Sequence, residues 1–329
     1  MTFAPRSLIL SALAAGLAAL AVQSPASAQT VTLRVAHTAA QVEPYQIGFE
    51  KFREEVEKAT GGTIKVEIFP NAQLGDEGSV LKSIQSGSIA MATVANATIA
   101  DFAQEMHIFD LPFLFKDRSQ AYKVLDGEIG QSVAKALTEK GFVLLGYYEA
   151  GVRNVLNNQK PIASLADFKG MKIRVIPSSI NIDTFRALGA NPVPLNYSEL
   201  YTALQTHVVD GAEAANSNYN AKKFYEVAPN WAMVAWTTLV SDMIMGEKFF
   251  QGLPADVQKA VVQAAQESAR VEREAYAKSE DVALATLKAK GVKITTPDPE
   301  PFRKASQSVY AKFGGPEDQA RLKKILDSK

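Results

Sequence analysis

Residues 255–290 contain neither Gly nor Pro and are dense in Ala, Gln, Glu, Lys and Arg. Leu253-Pro254 precedes the run and Gly291 closes it, as start and stop signals of a single helix should. At about 1.5 Å per residue that helix would be roughly 54 Å long. A domain of about 150 residues is narrower than this. A straight helix here has to run across two domains; the other reading is a pair of helices bent near Ser279.

Composition agrees with two folded units. The chain has 329 residues, 47% of them hydrophobic, with 35 Lys+Arg against 35 Asp+Glu and no Cys. That apolar content argues against disorder, and the length suffices for two cores without staples. Balanced charge leaves no basic stripe for a phosphate backbone, so nucleic acid is not an expected partner. Without cysteine there is no disulfide framework, thiolate nucleophile or Cys-ligated metal.

The amino terminus reads as a targeting signal. Arg6 precedes an apolar Leu- and Ala-rich run over residues 8–22, followed by Ser24-Pro25 and an Ala26-Ser27-Ala28 cleavage pattern. The run is shorter than the ~18–20 residues of a membrane span. Residues 1–28 are therefore expected to be removed on export, leaving a soluble protein that is not embedded in a membrane. A cysteine-free exported chain suits a bacterial periplasm.

Beyond the signal, residues 30–36 and 63–69 alternate or cluster apolar residues as strands, and 89–94 is a short apolar strand. Helical segments at 44–60 and 75–86 lie between them, ended by Gly61-Gly62 and Gly87. Strand, helix, strand, helix, strand is the rhythm of a parallel sheet. Residues 143–149, 154–157 and 171–176 predict further strands, and 182–188 a helix before Gly189. The fold class is α/β.

Enzymatic motifs are missing. The sequence has no G-x-S-x-G, no phosphate-binding G-x-x-x-x-G-K-[ST], no G-x-G-x-x-G after a strand and no H-E-x-x-H. Its three histidines, His37, His107 and His207, have no helical ligand spacing, and no metal or resident cofactor is expected. His37 stands out because it follows a strand, where loops line ligand crevices in α/β folds. A hydrolase or lyase using His37 with a carboxylate such as Glu213 would need a base in reach of a nucleophile, and no such pair is recognisable.

Two arginines carry more information. Arg153 follows the strand at 143–149, and Arg174 lies inside Met171-Lys172-Ile173-Arg174-Val175-Ile176-Pro177. A guanidinium within an apolar strand needs a reason, since burying an unpaired charge is costly. Periodicity leaves two orientations open for Arg174: outward from an edge strand, or into a cleft where its planar fork would hold an anion.

Longer stretches identify a family. Phe69-Pro70-Asn71-Ala72-Gln73-Leu74-Gly75-Asp76-Glu77, Asp110-Leu111-Pro112-Phe113-Leu114-Phe115, Phe168-Lys169-Gly170-Met171-Lys172-Ile173-Arg174-Val175 and Leu188-Gly189-Ala190-Asn191-Pro192 come in that order. Tyr197-Ser198-Glu199-Leu200-Tyr201, Val209-Asp210-Gly211-Ala212-Glu213, Lys223-Phe224-Tyr225-Glu226-Val227 and Gly252-Leu253-Pro254-Ala255-Asp256-Val257 follow. Over nearly the whole mature chain this resembles the substrate-binding proteins of tripartite ATP-independent periplasmic (TRAP) transporters, DctP type.

The resemblance implies a two-lobed periplasmic binding protein fold with hinge strands and one long helix spanning both lobes. Lobe one would comprise residues 29–150 plus about 240–279, and lobe two 151–239 plus about 280–329. The protein would be a monomer that closes on a small organic acid. It would deliver that acid to a permease of one small and one large membrane subunit, driven by an ion gradient. Arg174 maps to the family's carboxylate-gripping arginine, Arg153 to a second arginine, and Tyr197 to an aromatic residue that packs on ligand. His37, Thr38 and Asn96 fall in loops that supply polar contacts, and Glu213 joins the candidate set.

Departures bear on the ligand. Many relatives carry Asn directly after the D-G-A-E stretch; here Ala214-Ala215 intervene, so Asn216 or Asn218 is expected to take over. Asn96 stands where relatives that bind sialic acid have an acid, which disfavours an amino sugar acid. Trp236 replaces a polar group and is expected to offer its face to a sugar. These residues point to a sugar acid or other polyhydroxy monocarboxylate. A C4-dicarboxylate, keto acid or branched hydroxy acid stays open, with Lys172 or His37 to meet a second carboxylate.

Overall fold

The computed structural model describes residues 30–328. The expected signal segment, residues 1–28, lies outside them. Nine strands form one sheet: β1 (Val31–Ala36), β2 (Ile64–Phe69), β3 (Met91–Ala95), β4 (Phe142–Asn157), β5 (Lys172–Val175), β6 (Asn191–Pro194), β7 (Gly211–Ala214), β8 (Asn230–Gly246) and β9 (Lys293–Thr295). The order is β2-β1-β3-β8-β4-β7-β5-β6, with β9 on β8.

The sheet has a parallel triad at each end. β1 runs parallel to β2 and β3, and β5 parallel to β6 and β7. Between them β8 and β4 pair antiparallel along their whole length, so two long strands carry the chain from one half of the fold to the other. This is the α/β two-lobed architecture expected.

Each half has its own core. In the first, Leu33, Val35, Phe49, Phe52 and Val56 pack on Met243 and Met245, while Ile84, Ile108, Phe109 and Tyr147 fill the opposite face of the sheet. In the second, Ile173, Val175, Phe185, Trp236 and Phe302 pack on one face and Leu156, Leu200, Tyr219 and Trp231 on the other. The inner parallel strands β3 and β7 are buried throughout, whereas the outer β2 and β6 keep exposed positions. A small apolar cluster of Ala95, Ala97, Ala150, Ile176 and Leu239 lies where the halves meet.

The run at 255–290 is one helix, Ala255–Ala289, unbroken at Ser279. Its amino-terminal part places Val261, Ala264 and Ala265 in the first half's core, and Leu287 joins the second's. Among the described residues no helix is long and apolar enough to cross a membrane.

The strands expected at 143–149 and 154–157 are a single strand. Gly151, which reads as a breaker in sequence, sits inside β4 at φ 82°, where the ladder with β8 shifts register between Glu149 and Val152. A Cβ there would lie 2.6 Å from the Ala215 Cβ and 2.7 Å from Tyr276 Cε1. Both the dihedral and the close approach demand glycine.

Candidate functional site

A cavity of about 250 Å³ opens between the two halves. Its walls come from the carboxyl ends of parallel strands on both sides: Thr38 and Ala39 after β1, Ala95 at the end of β3 and Thr98 beyond it, Ile176 and Pro177 after β5, Tyr197 and Ser198 after β6. The crossing strands supply Ala150, Arg153 and Leu239. Strand ends are where α/β sheets bind ligands, and this volume suits a single small molecule.

Adjacent strands β4, β7 and β5 build a charged trio on one side. Val155 of β4 pairs with Glu213 of β7, and Arg174 of β5 with Ala212, which brings the three strands' charged residues close, and Glu213 contacts both arginines. Glu213 Oε2 accepts from Arg153 Nε at 2.5 Å and Oε1 from Arg174 Nη1 at 3.3 Å. All three are buried, at 0%, 4% and 2% exposure respectively. One carboxylate between two guanidiniums leaves one positive charge over.

The two arginines are not equally satisfied. Arg153 Nη1 donates to Ala150 O and Asn218 Oδ1, both at 2.9 Å, and Nη2 donates to Glu213 O at 3.3 Å. Arg174 Nε donates to Leu195 O at 2.8 Å, and among the described residues its Nη2 has no partner. Burial alone would lower the Arg153 pKa, but Glu213 more than offsets it and the shift is upward. For Arg174 burial prevails over Glu213, helped by the Arg153 cation, and the shift is downward. Arginine stays charged in either case, so Arg174 is the cation short of an anion. The Tyr197 ring centroid is 5.9 Å from its guanidinium carbon, and the Tyr197 hydroxyl is buried without a partner among the described residues.

An acceptor wall stands opposite. Asp76 caps the helix Glu77–Gln85 by accepting from Ser79 N at 3.0 Å, which leaves Glu77, the first helical residue, turned into the cavity. Thr38 Oγ1 and Thr98 Oγ1 donate to Glu77 at 3.3 and 2.8 Å. Burial raises the Glu77 pKa, with the Thr98 bond opposing. Across the mouth, Asn218 Nδ2 donates to Glu43 Oε1, and Lys222 Nζ donates to Asn71 Oδ1 at 3.1 Å. The two halves thus touch directly beside the cavity.

Of the sequence candidates, Arg174, Arg153, Tyr197, Asn218 and Thr38 line this cavity, with Glu213 directly behind the arginines. The outward reading of Arg174 is overturned, because β5 is flanked by β7 and β6 and is not an edge. Four others lie outside the lining. Trp236 is 1% exposed against Phe185, at 5.3 Å between ring centroids, because its strand buries that face in the second core. Asn216 accepts from Trp231 Nε1 at 3.0 Å. Asn96 donates to Met106 O and Asp110 Oδ1 at 2.9 and 2.8 Å, and so braces a loop. His37 bonds Gln46 at 3.0 Å and stacks on Phe49; burial pulls its pKa down to about 4. It is neutral near pH 7 and unsuited to a second carboxylate; Lys172 is exposed on β5, outside the cavity lining. Among the described residues no group of three His, Cys, Asp or Glu could hold a metal ion.

Sequence reasoning missed Glu77, Thr98 and Glu43. Glu77 was visible only as part of the Gly75-Asp76-Glu77 stretch. The available signal was a helix-capping Asp followed by a second acid whose side chain the cap does not use.

Comparison with known proteins agrees with this geometry. Residues 35–315 match the model of the DctP family, bacterial extracellular solute-binding protein family 7. The 2,3-diketo-L-gulonate-binding periplasmic protein of Escherichia coli is 32% identical over 293 residues, 88% of each chain. A sugar acid binding protein of Advenella mimigardefordensis in complex with galactonate superposes with TM-score 0.88 at 32% identity, covering 92% of this chain and 99% of that one. A TRAP periplasmic solute-binding protein of Sulfurospirillum deleyianum with bound succinate gives 0.86 at 36% identity, covering 91% and 99%. With its two parallel triads, its bridging helix and a cavity between the halves that holds an unsatisfied guanidinium, the chain belongs to the DctP family of TRAP-transporter solute-binding proteins.

Proposed function

We propose that this protein binds a sugar acid, or another polyhydroxy monocarboxylate, and hands it to a TRAP permease. The observation that carries the reading is the asymmetry of the cavity: an under-compensated guanidinium at one side and a carboxyl with two threonine hydroxyls at the other. A ligand carboxylate completes Arg174 with charge-assisted hydrogen bonds in a site shielded from water. Buried hydroxyl groups need both donors and acceptors, which Glu77, Thr38 and Asn218 provide. A second carboxylate would instead meet Glu77 and be accommodated only with an extra proton. That weighs against the dicarboxylate alternative, although a relative with succinate bound is the more similar in sequence of the two structures compared.

In this reading residues 1–28 direct export to the periplasm and are cleaved. Lobe one is 29–150 plus about 240–279, lobe two 151–239 plus about 280–329, and the lobes close about the crossings near residues 151 and 240. Ligand shifts that equilibrium only through preferring the closed form. The protein acts as a monomer on a small and a large membrane subunit. It is a carrier and not an enzyme: His37, the base a hydrolase reading needs, is buried outside the cavity lining.

A thermal-shift screen of refolded protein tests this with D-galactonate, D-galacturonate, D-glucuronate and succinate. At a hundred times Kd a ligand adds about 2.7 kcal/mol, roughly 5 °C for a chain of this size. A shift with a sugar acid and none with succinate is expected. The converse would keep the family and overturn the ligand class.

A further inference from the structure

The long helix carries a buried polar stripe. Ser268, Glu272, Tyr276 and Glu280 recur every fourth residue on one face, and all are buried. Such a face is ordinarily apolar, so each polar group calls for a partner. Ser268 Oγ donates to Gly48 O at 2.7 Å and also meets the Tyr148 hydroxyl; Glu272 Oε2 accepts from Glu149 N at 2.9 Å. Those contacts tie the helix to the first half and to β4 just before Gly151.

The remaining two reach the site. Glu280 accepts from Ser217 N at 2.8 Å and Asn216 N at 3.3 Å, fixing the start of the short helix Asn216–Ala221. The Tyr276 hydroxyl accepts from Ser217 Oγ at 3.1 Å and donates to Asn218 Oδ1 at 3.3 Å. That same oxygen takes the Arg153 Nη1 hydrogen, and the Asn218 amide nitrogen reaches Glu43 across the mouth.

We infer that Tyr276 and Glu280 are positioning residues of the binding site. They orient Asn218 from the long helix, and through it Arg153 and the contact with Glu43. The oxygen of Asn218 is committed to two donors, so its amide nitrogen is the group left to face the other half. A helix anchored to both halves thereby sets one wall of the cavity. The inference deepens the proposed function and rests on it for the nature of the ligand.

The test compares Tyr276→Phe with Tyr310→Phe, which deletes a part-buried hydroxyl bond, to Pro112 O, outside the cavity lining. Two quantities are read: calorimetric Kd for D-galactonate and D-galacturonate, and the Asn218 side-chain amide signal in protein labelled with ¹⁵N-asparagine. Tyr276→Phe should move the Asn218 signal and weaken binding about fivefold, the worth of one buried neutral hydrogen bond. Glu280→Gln should act in the same direction, and Tyr310→Phe should do neither. An unmoved Asn218 signal with unchanged Kd in Tyr276→Phe overturns the inference. Should the wild type bind neither sugar acid, the ligand assignment fails, and the Asn218 signal alone decides the positioning role.

Discussion

The two sides of the cavity are built differently. On the second half, Arg153, Glu213 and Arg174 project from three neighbouring strands, each backbone fixed by the sheet. On the first half, Thr38, Glu77 and Thr98 sit at the ends of strands or in the first turns of helices. In the proposed reading rigid strands place the charge that grips the ligand carboxylate, whereas loop and helix-start residues place the groups that distinguish one acid from another. A fold that keeps the first set and varies the second can change ligand without changing its grip.

Breaking the rigid side should have the largest effect. Arg174→Ala leaves a ligand carboxylate buried without its partner, a loss of about 3–5 kcal/mol. By calorimetry that is roughly a hundredfold or more in Kd, while Arg153→Ala, whose guanidinium is already engaged by protein acceptors, should cost less. Glu213→Gln strips both guanidiniums of their counter-charge and should lower stability to denaturant by about 3 kcal/mol.

His37 tests the packing beneath the loop side. Its pKa is about 4 in the folded protein against 6.5 unfolded, so the unfolded chain binds the proton first as pH falls. Its contribution is complete above pH 6.5 and is lost down to pH 4, about 3 kcal/mol in all. Melting temperatures of wild type and His37→Gln across that window should converge toward the acid end. Parallel curves would mean that His37 is not buried neutral.

The loop side should give smaller and more selective effects. Glu77→Gln is expected to weaken sugar-acid binding about tenfold and to improve succinate binding relative to wild type. Equal losses for both would show that Glu77 does not discriminate. Smallest of all, Trp236→Phe should destabilise the second core by about 1–2 kcal/mol and leave Kd within about twofold. A large loss of affinity would return Trp236 to the cavity.

The same division governs what was legible in the sequence. The first triad was readable because its strands alternate or cluster apolar residues between glycine-ended helices, and the long helix because nothing in it stops one; of the second triad only β5 was readable, since β6 (Asn191–Pro194) and β7 (Gly211–Ala214) are four-residue strands without an apolar run. β4 was read as two strands because Gly151 signals a break locally, whereas the fold uses it as a bulge against Ala215 and Tyr276. Arg174 and Arg153 were found, but their orientation depends on which strands flank β5 and β4, and that is a property of the sheet. Trp236 failed for a related reason: an aromatic in a strand buried on both faces carries no mark of which face meets ligand. Glu77 was passed over because an acid in the first turn of a helix already has an explanation in helix chemistry.

The most direct measurement is a crystal structure of the refolded protein with the sugar acid that gives the largest thermal shift. The ligand carboxylate is expected within hydrogen-bond distance of the Arg174 guanidinium, with at least one ligand hydroxyl on Glu77. A carboxylate bound away from Arg174, with Glu77 facing only water, would contradict that placement.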